Sequence, residues 1–265
     1  MNTRINRCFE RCRAEGRSAL IVYATVGCPT PEESEALIDR LIDAGADMVE
    51  LGVPFSDPMA DGPVIQHAGQ VALAAGTTLK KVLEIAGRIR ARHPETPLIL
   101  FSYYNVLFHY GLERLGAALR EAEIDGLLVV DLPLEERSEI EPLCRTSGVE
   151  LIPLVSPATS LERAERIASG CGGFVYYITV RGVTGVRQAL PPELAGELET
   201  LRARLPLPVA AGFGISSAAM AKAVGAHADA VVVGSAVMRK VLDEGCDAAV
   251  ALTGELAAGV RGREA

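Results

Sequence analysis

The sequence has no tryptophan, and Phe and Tyr bring the aromatics to only 5% of its 265 residues. Aliphatic side chains must therefore fill the core, and a hydrophobic content of 49% supplies enough of them. A positive balance is also missing, since the formal net charge is −8. Nucleic-acid binders neutralise phosphates with Lys and Arg, so this balance argues against that class. No apolar run reaches the roughly 18 residues of a membrane span. The six cysteines, at 8, 12, 28, 144, 171 and 246, form no Cys-x-x-Cys pair and no zinc-spaced Cys/His cluster, so no metal site is expected. Cys8 and Cys12 lie four apart, fit one helix face and read as core packing. Scattered thiols without a secretory signal point to the cytoplasm. The first 17 residues hold five Arg, but also Glu10 and Glu15. Ile5, Phe9 and Cys12 recur there at helical spacing, which reads as a short amphipathic helix in preference to a transit peptide.

What is present is an alternation. Short Val/Ile/Leu-rich runs at 19–25, 47–51, 97–102, 126–131, 149–153, 173–179, 208–212 and 230–234 alternate with amphipathic segments. The latter lie at about 32–44, 64–75, 78–92, 111–122, 135–147, 160–169, 192–204 and 216–226, and a last helix starts near Ser235 or Val237. Runs that are apolar throughout belong to parallel strands covered by helices. Eight such units in this length predict a single (β/α)8 TIM barrel over 1–265 with an extra N-terminal helix. An open doubly wound sheet is the alternative, but no Gly-x-Gly-x-x-Gly follows the first strand.

In a barrel, chemistry belongs at the C-terminal ends of the strands. Glu50 ends the second run, and the loop after it carries Asp57 and Asp61. Glu50 is either a partly desolvated acid/base in the barrel mouth or one half of a salt bridge across it. Asp61 and Asp57 are either functional carboxylates or Asp turns capping their own backbone. Asp131, before Leu-Pro, is open between a structural and a catalytic role. After the seventh and eighth runs, Gly212-Phe213-Gly214 and Gly234-Ser235 each precede a helix. Glycines admit close backbone approach and helix N-termini present free N–H groups, so these segments suit a phosphate; ordinary tight turns are the alternative.

Lysine is the scarcest charged residue: only Lys80, Lys81, Lys222 and Lys240 occur, all in helical stretches. A Schiff-base aldolase needs a lysine at a strand end, and covalently held pyridoxal phosphate needs one too. His67, His93, His109 and His227 fall in helices or connecting segments, so no ligand set for a metal-dependent aldolase gathers at the strand ends. Any carbon–carbon cleavage here leaves the electron sink to the substrate and acid/base work to the protein.

The segment Leu51–Pro63 (LGVPFSDPMADGP), preceded by Glu50, resembles the signature of the tryptophan synthase alpha chain family. YYN at 103–105, DGLLVVDLP at 125–133, GVTG at 182–185, GFGIS at 212–216 and GSA at 234–236 extend the resemblance from Tyr23 to about Arg239. The resemblance implies retro-aldol cleavage of indole-3-glycerol phosphate to indole and glyceraldehyde 3-phosphate. It implies Glu50 as acid/base, Asp61 as the stabiliser of charge at the indole nitrogen, and Tyr176 as the tyrosine beside Glu50. Thr184 matches a loop threonine that meets Asp61 on closure. Tyr23, Tyr103, Leu128, Val130 and Phe213 match indole-pocket positions, and Gly185, Gly214, Gly234 and Ser235 phosphate positions. It also implies a beta-chain partner holding pyridoxal phosphate in an alpha2beta2 heterotetramer, with no cofactor in this chain. The loop with Pro54, Phe55, Asp57, Pro58 and Met59 would face that partner; packing on its own barrel is the alternative. The chain departs from the family pattern at Cys28, at Val106 and at Arg181, which is displaced by one position. Three other readings stay open: a stand-alone indole-releasing lyase, a non-catalytic allosteric subunit, and another phosphate-binding barrel such as an isomerase or epimerase.

Overall fold

Every residue of the first strand, β1 (Ala19–Thr25), is buried. Its neighbours explain why. β1 pairs in parallel with β2 (Met48–Gly52) on one side and with the last strand on the other. The structure, a computed structural model, describes residues 3–178, 192–212 and 214–262. The remaining strands are β3 (Leu98–Ser102), β4 (Gly126–Val129), β5 (Glu150–Ile152), β6 (Leu154–Val155), β7 (Val175–Ile178), β8 (Val209–Gly212) and β9 (Ala230–Val233). The hydrogen-bonded order is β5-β4-β3-β2-β1-β9-β8-β7-β6.

The two ends of that order are one stretch of chain. β5 pairs with β4 and β6 with β7, and only Pro153 separates them. Proline has no N–H to donate, but its carbonyl accepts the N–H of Tyr176 at 2.8 Å. The expected fifth strand is thus one barrel position split in two, and the sheet closes through it. The expected (β/α)8 barrel is the observed fold.

The helices are α1 (Arg4–Ala14), α2 (Pro31–Asp43), α3 (Pro63–Ala74), α4 (Leu79–Arg92), α5 (Tyr104–Tyr110), α6 (Leu112–Glu121), α7 (Glu141–Ser147), α8 (Leu161–Ala168), α9 (Pro192–Arg204), α10 (Ala218–Gly225), α11 (Ser235–Glu244) and α12 (Cys246–Val260). Three differences from the sequence reading stand out. Residues 104–110, read as a strand end and loop, form α5, because Asp131 Oδ1 accepts the N–H of Tyr104 at 2.7 Å from the next βα loop. The segment before α7 is a separate 3-10 turn, Leu134–Glu139. The single last helix is two, α11 and α12, parted at Gly245, whose φ of +89° favours glycine.

Period-two alternation decides what enters the barrel. Ala19, Ile21, Met48, Ile99, Ile152, Phe174, Ala210 and Ala230 pack together inside, while Leu20, Val22, Val49 and Leu51 join the outer core beneath the helices. The N-terminal helix α1 closes the base. Its buried face of Ile5, Cys8, Phe9 and Cys12 joins the interior cluster, and Phe9 meets Phe174 with ring centres 6.0 Å apart.

Three aspartates brace that base. Asp47, Asp125 and Asp229 each stand just before a strand and accept a backbone N–H from the neighbouring strand: Leu20 at 2.9 Å, Leu98 at 2.8 Å and Val209 at 2.9 Å. Arg17, Arg90 and Arg202 neutralise them. Polar groups on this face serve stability, which leaves the opposite face for chemistry.

Candidate active site

Glu50 sits at the centre of β2, beside Tyr23 of β1 and Ile99 of β3 in register. Met48 and Glu50 point the same way, so alternation alone sends this carboxylate inward. It is fully buried, and neither oxygen has a hydrogen-bond partner among the described residues. Among the described residues the alternative of a salt bridge across the barrel is therefore not realised. Desolvation disfavours the charged form and pushes the carboxyl up to about 8.

Above Glu50 opens a cavity of about 250 Å³ whose lining includes Tyr23, Glu50, Asp61, Val130 and Tyr176. Phe101, Leu154, Ile178 and Val232 complete its apolar wall. The sequence reading did not single these out, although strand alternation from Ile99 and Ile152 marks Phe101 and Leu154 as inward. Asp61 is half-buried, and burial pushes it up to about 6 against the opposing pull of a hydrogen bond from Tyr103. That hydroxyl also accepts the N–H of Ala60 at 3.0 Å. Asp61 therefore stands on a tied loop and is more than a self-capping turn. Tyr176 is held neutral by burial and by the nearby Glu50. Tyr23 accepts a hydrogen bond from Thr25 Oγ1 at 3.3 Å and meets Phe101 edge-on, ring centres 5.2 Å apart.

The far end of the cavity is backbone. Gly214, Ile215, Gly234, Ser235 and Ala236 line it. α10 is capped by its own Ser217, which accepts the N–H of Met220. α11 begins at Ser235 behind Gly234 and has no side-chain cap, so its first N–H groups face the cavity unclaimed by one. No Lys, Arg or His occurs among the described lining residues. All four lysines fall on α4, α10 and α11, as expected.

Some expected residues lie elsewhere. Leu128 is fully buried in the interior cluster with Ile99 and Phe174, and does not line the cavity. Tyr103 acts on the loop and is not part of the lining. Thr184, Gly185 and Phe213, with the displaced Arg181, lie outside the described residues. Of the loop expected to face a partner, Asp57 and Met59 are exposed, Met59 by 85%, and Pro58 partly so. Phe55 folds back onto Tyr103 with ring centres 5.1 Å apart.

The closed parallel barrel and the two unequal carboxylates in its mouth define a (β/α)8-barrel enzyme equipped for acid/base chemistry. The sequence profile of the tryptophan synthase alpha chain family matches residues 9–260. The chain is 43% identical over 247 residues to the tryptophan synthase alpha chain of Rhizorhabdus wittichii, covering 93% of this chain and 91% of that one. It is 46% identical over 239 residues to that of Solibacter usitatus, covering 90% and 89%. The crystal structure of the Legionella pneumophila alpha chain superposes with a TM-score of 0.89 at 34% identity, covering 97% of each chain. The chain belongs to the tryptophan synthase alpha chain family. It is a carbon–carbon lyase of tryptophan biosynthesis, cleaving indole-3-glycerol phosphate to indole and glyceraldehyde 3-phosphate.

Proposed function

We propose that Glu50 and Asp61 divide the acid/base work of this cleavage and that the indole ring is the electron sink. The carrying observation is Glu50 itself, a fully buried carboxyl with no partner among the described residues, directly under the cavity. With one carboxyl at about 8 and the other at about 6, Glu50 holds its proton near pH 7 while Asp61 has lost its own. Glu50 protonates indole C3, and the positive charge reaches the ring nitrogen, where the Asp61 carboxylate stabilises it. The Glu50 carboxylate then takes the proton of the hydroxyl on the carbon bonded to C3. That carbon–carbon bond breaks, its electron pair returns to the ring, and the aldehyde forms. Glu50 ends protonated, as it began. In this reading the chain needs neither a cofactor nor a metal of its own.

Tyr176 screens Glu50 from water, Tyr23 and Val130 flank the indole with Phe213, and Leu128 supports that wall from below. Tyr103 positions Asp61, and Thr184 meets Asp61 on closure. The phosphate takes the backbone N–H groups at Gly214, Gly234 and Ser235, with Gly185. Residues 1–265 work as one barrel domain in the cytoplasm; among the described residues no helix is long and apolar enough to cross a membrane.

The partner is a tryptophan synthase beta chain holding pyridoxal phosphate, in an alpha2beta2 heterotetramer. Exposed Met59, on the loop that Phe55 ties to Tyr103, supports a docking loop coupled to Asp61. Indole release from indole-3-glycerol phosphate, with and without a beta chain, tests the reading. Slow release alone and faster release with the beta chain are expected. Lack of stimulation by any beta chain would favour a stand-alone lyase, and near-normal turnover by Glu50→Gln would refute the mechanism.

A further inference from the structure

The densest cluster of nucleophilic side chains outside the cavity lies at the barrel base. Cys8 and Cys12 are one turn apart on the buried face of α1, and each is 1% exposed. Their sulfurs and a carboxylate oxygen of Asp47 all lie within 4.8 Å of one another. Hydrophobic packing explains the burial of this helix face, and bracing of β1 explains Asp47 and Arg17, but neither accounts for a guanidinium donating to a thiol. Arg11 Nη2 donates to Cys8 Sγ at 3.5 Å and to Asp47 Oδ1 at 3.3 Å. Cys8 Sγ also lies 3.5 Å from the Asp47 carbonyl.

The donor set selects the ligand. Zinc wants four ligands in a tetrahedron. Asp47 is not free to be one of them. Its Oδ1 is held by Arg17 at 2.9 Å and by Arg11, and its Oδ2 by Arg17 at 2.7 Å and by the N–H of Leu20 at 2.9 Å. That leaves two sulfurs, and soft thiolates with few ligands suit copper(I). We propose that Cys8 and Cys12 form a two-thiolate binding site for copper(I), with Arg11 as its gate. On binding, two S–H bonds break, two S–Cu bonds form and two protons pass to water; no electron is transferred. The bound unit carries one negative charge, which lies beside Arg11 and Arg17. The Arg11 side chain is 49% exposed, so rotation of its guanidinium into water uncovers Cys8.

Reduced full-length protein is titrated anaerobically with copper(I) against a chromophoric copper(I) chelator. Wild type is expected to withdraw one tight equivalent, and Cys8→Ala/Cys12→Ala to bind it at least tenfold more weakly with indole release unchanged. Arg11→Ala keeps both thiols and is expected to load several-fold faster at the same stoichiometry, which also covers the case of a double variant that does not fold. The proposal is overturned if wild type cannot compete with the chelator, if the double variant competes as well as wild type, or if Arg11→Ala loads no faster.

Discussion

The hydroxyl of Tyr103, at the start of α5, accepts the N–H of Ala60 at 3.0 Å and hydrogen-bonds the Asp61 carboxylate. A residue at the end of β3 thus fixes the loop that follows β2. Tyr103→Phe removes both bonds. Since the Tyr103 bond pulls Asp61 down, its loss raises the Asp61 carboxyl above about 6. The acid limb of kcat/KM is expected to move to higher pH, and kcat to fall roughly tenfold as the loop loosens. A pH series of indole release reads both.

Burying an unpartnered carboxyl sets function against stability. The Glu50 carboxyl moves from an ordinary 4.5 to about 8 on folding, so stability is highest below pH 4.5, where the group is neutral in both states, and falls progressively as pH rises from 4.5 to about 8. Glu50→Gln does not titrate. It is expected to match wild type near pH 4 and to be more stable by roughly 3 kcal/mol at pH 7, while losing at least about 1000-fold in turnover. Urea unfolding at several pH values checks the sign. A variant less stable than wild type at pH 8 would contradict the burial argument.

The base of the barrel answers in the opposite way. Arg90 is 5% exposed and pairs with Asp125, which also accepts the N–H of Leu98. Asp125→Ala strands a buried guanidinium and is expected to cost about 3–5 kcal/mol. Turnover per folded molecule should stay at the wild-type value, since the site is at the other end of the strands. Denaturant midpoints paired with active-site-normalised rates separate the two effects.

At the cavity's far end, Ser235 opens α11 without a side-chain cap. Ser235→Asp places a carboxylate on the N–H groups assigned to the phosphate. A negative charge at a helix N-terminus stabilises the helix by about 0.3–1 kcal/mol. The same charge repels the substrate phosphate, so KM is expected to rise at least about tenfold while the melting temperature holds or rises slightly. Free indole, which has no phosphate, should bind as before.

Much of this site is legible in the sequence because its information is local. An apolar run with Glu at an inward position, followed by a Pro/Gly/Asp loop, predicts a carboxylate in a barrel mouth, and Glu50 is there. Helix N-termini after Gly214 and Gly234 follow equally from neighbouring residues. What is not legible depends on distant partners. α5 starts where it does because Asp131 reaches across from another loop, and the fifth strand splits because Pro153 serves β7 with a carbonyl alone. Leu128 matches a pocket position by pattern, but depth inside a barrel is set by register across β3 and β5, which local sequence does not encode.

In this mechanism one buried carboxyl is protonated while a second is ionised at the same pH. The pH dependence of kcat/KM for indole release measures this most directly. A bell with limbs near about 6 for Asp61 and about 8 for Glu50 is predicted, rising through the first and falling through the second. A rate that is flat between pH 5 and 9, or that climbs through pH 8, would contradict the assignment of Glu50 as the acid.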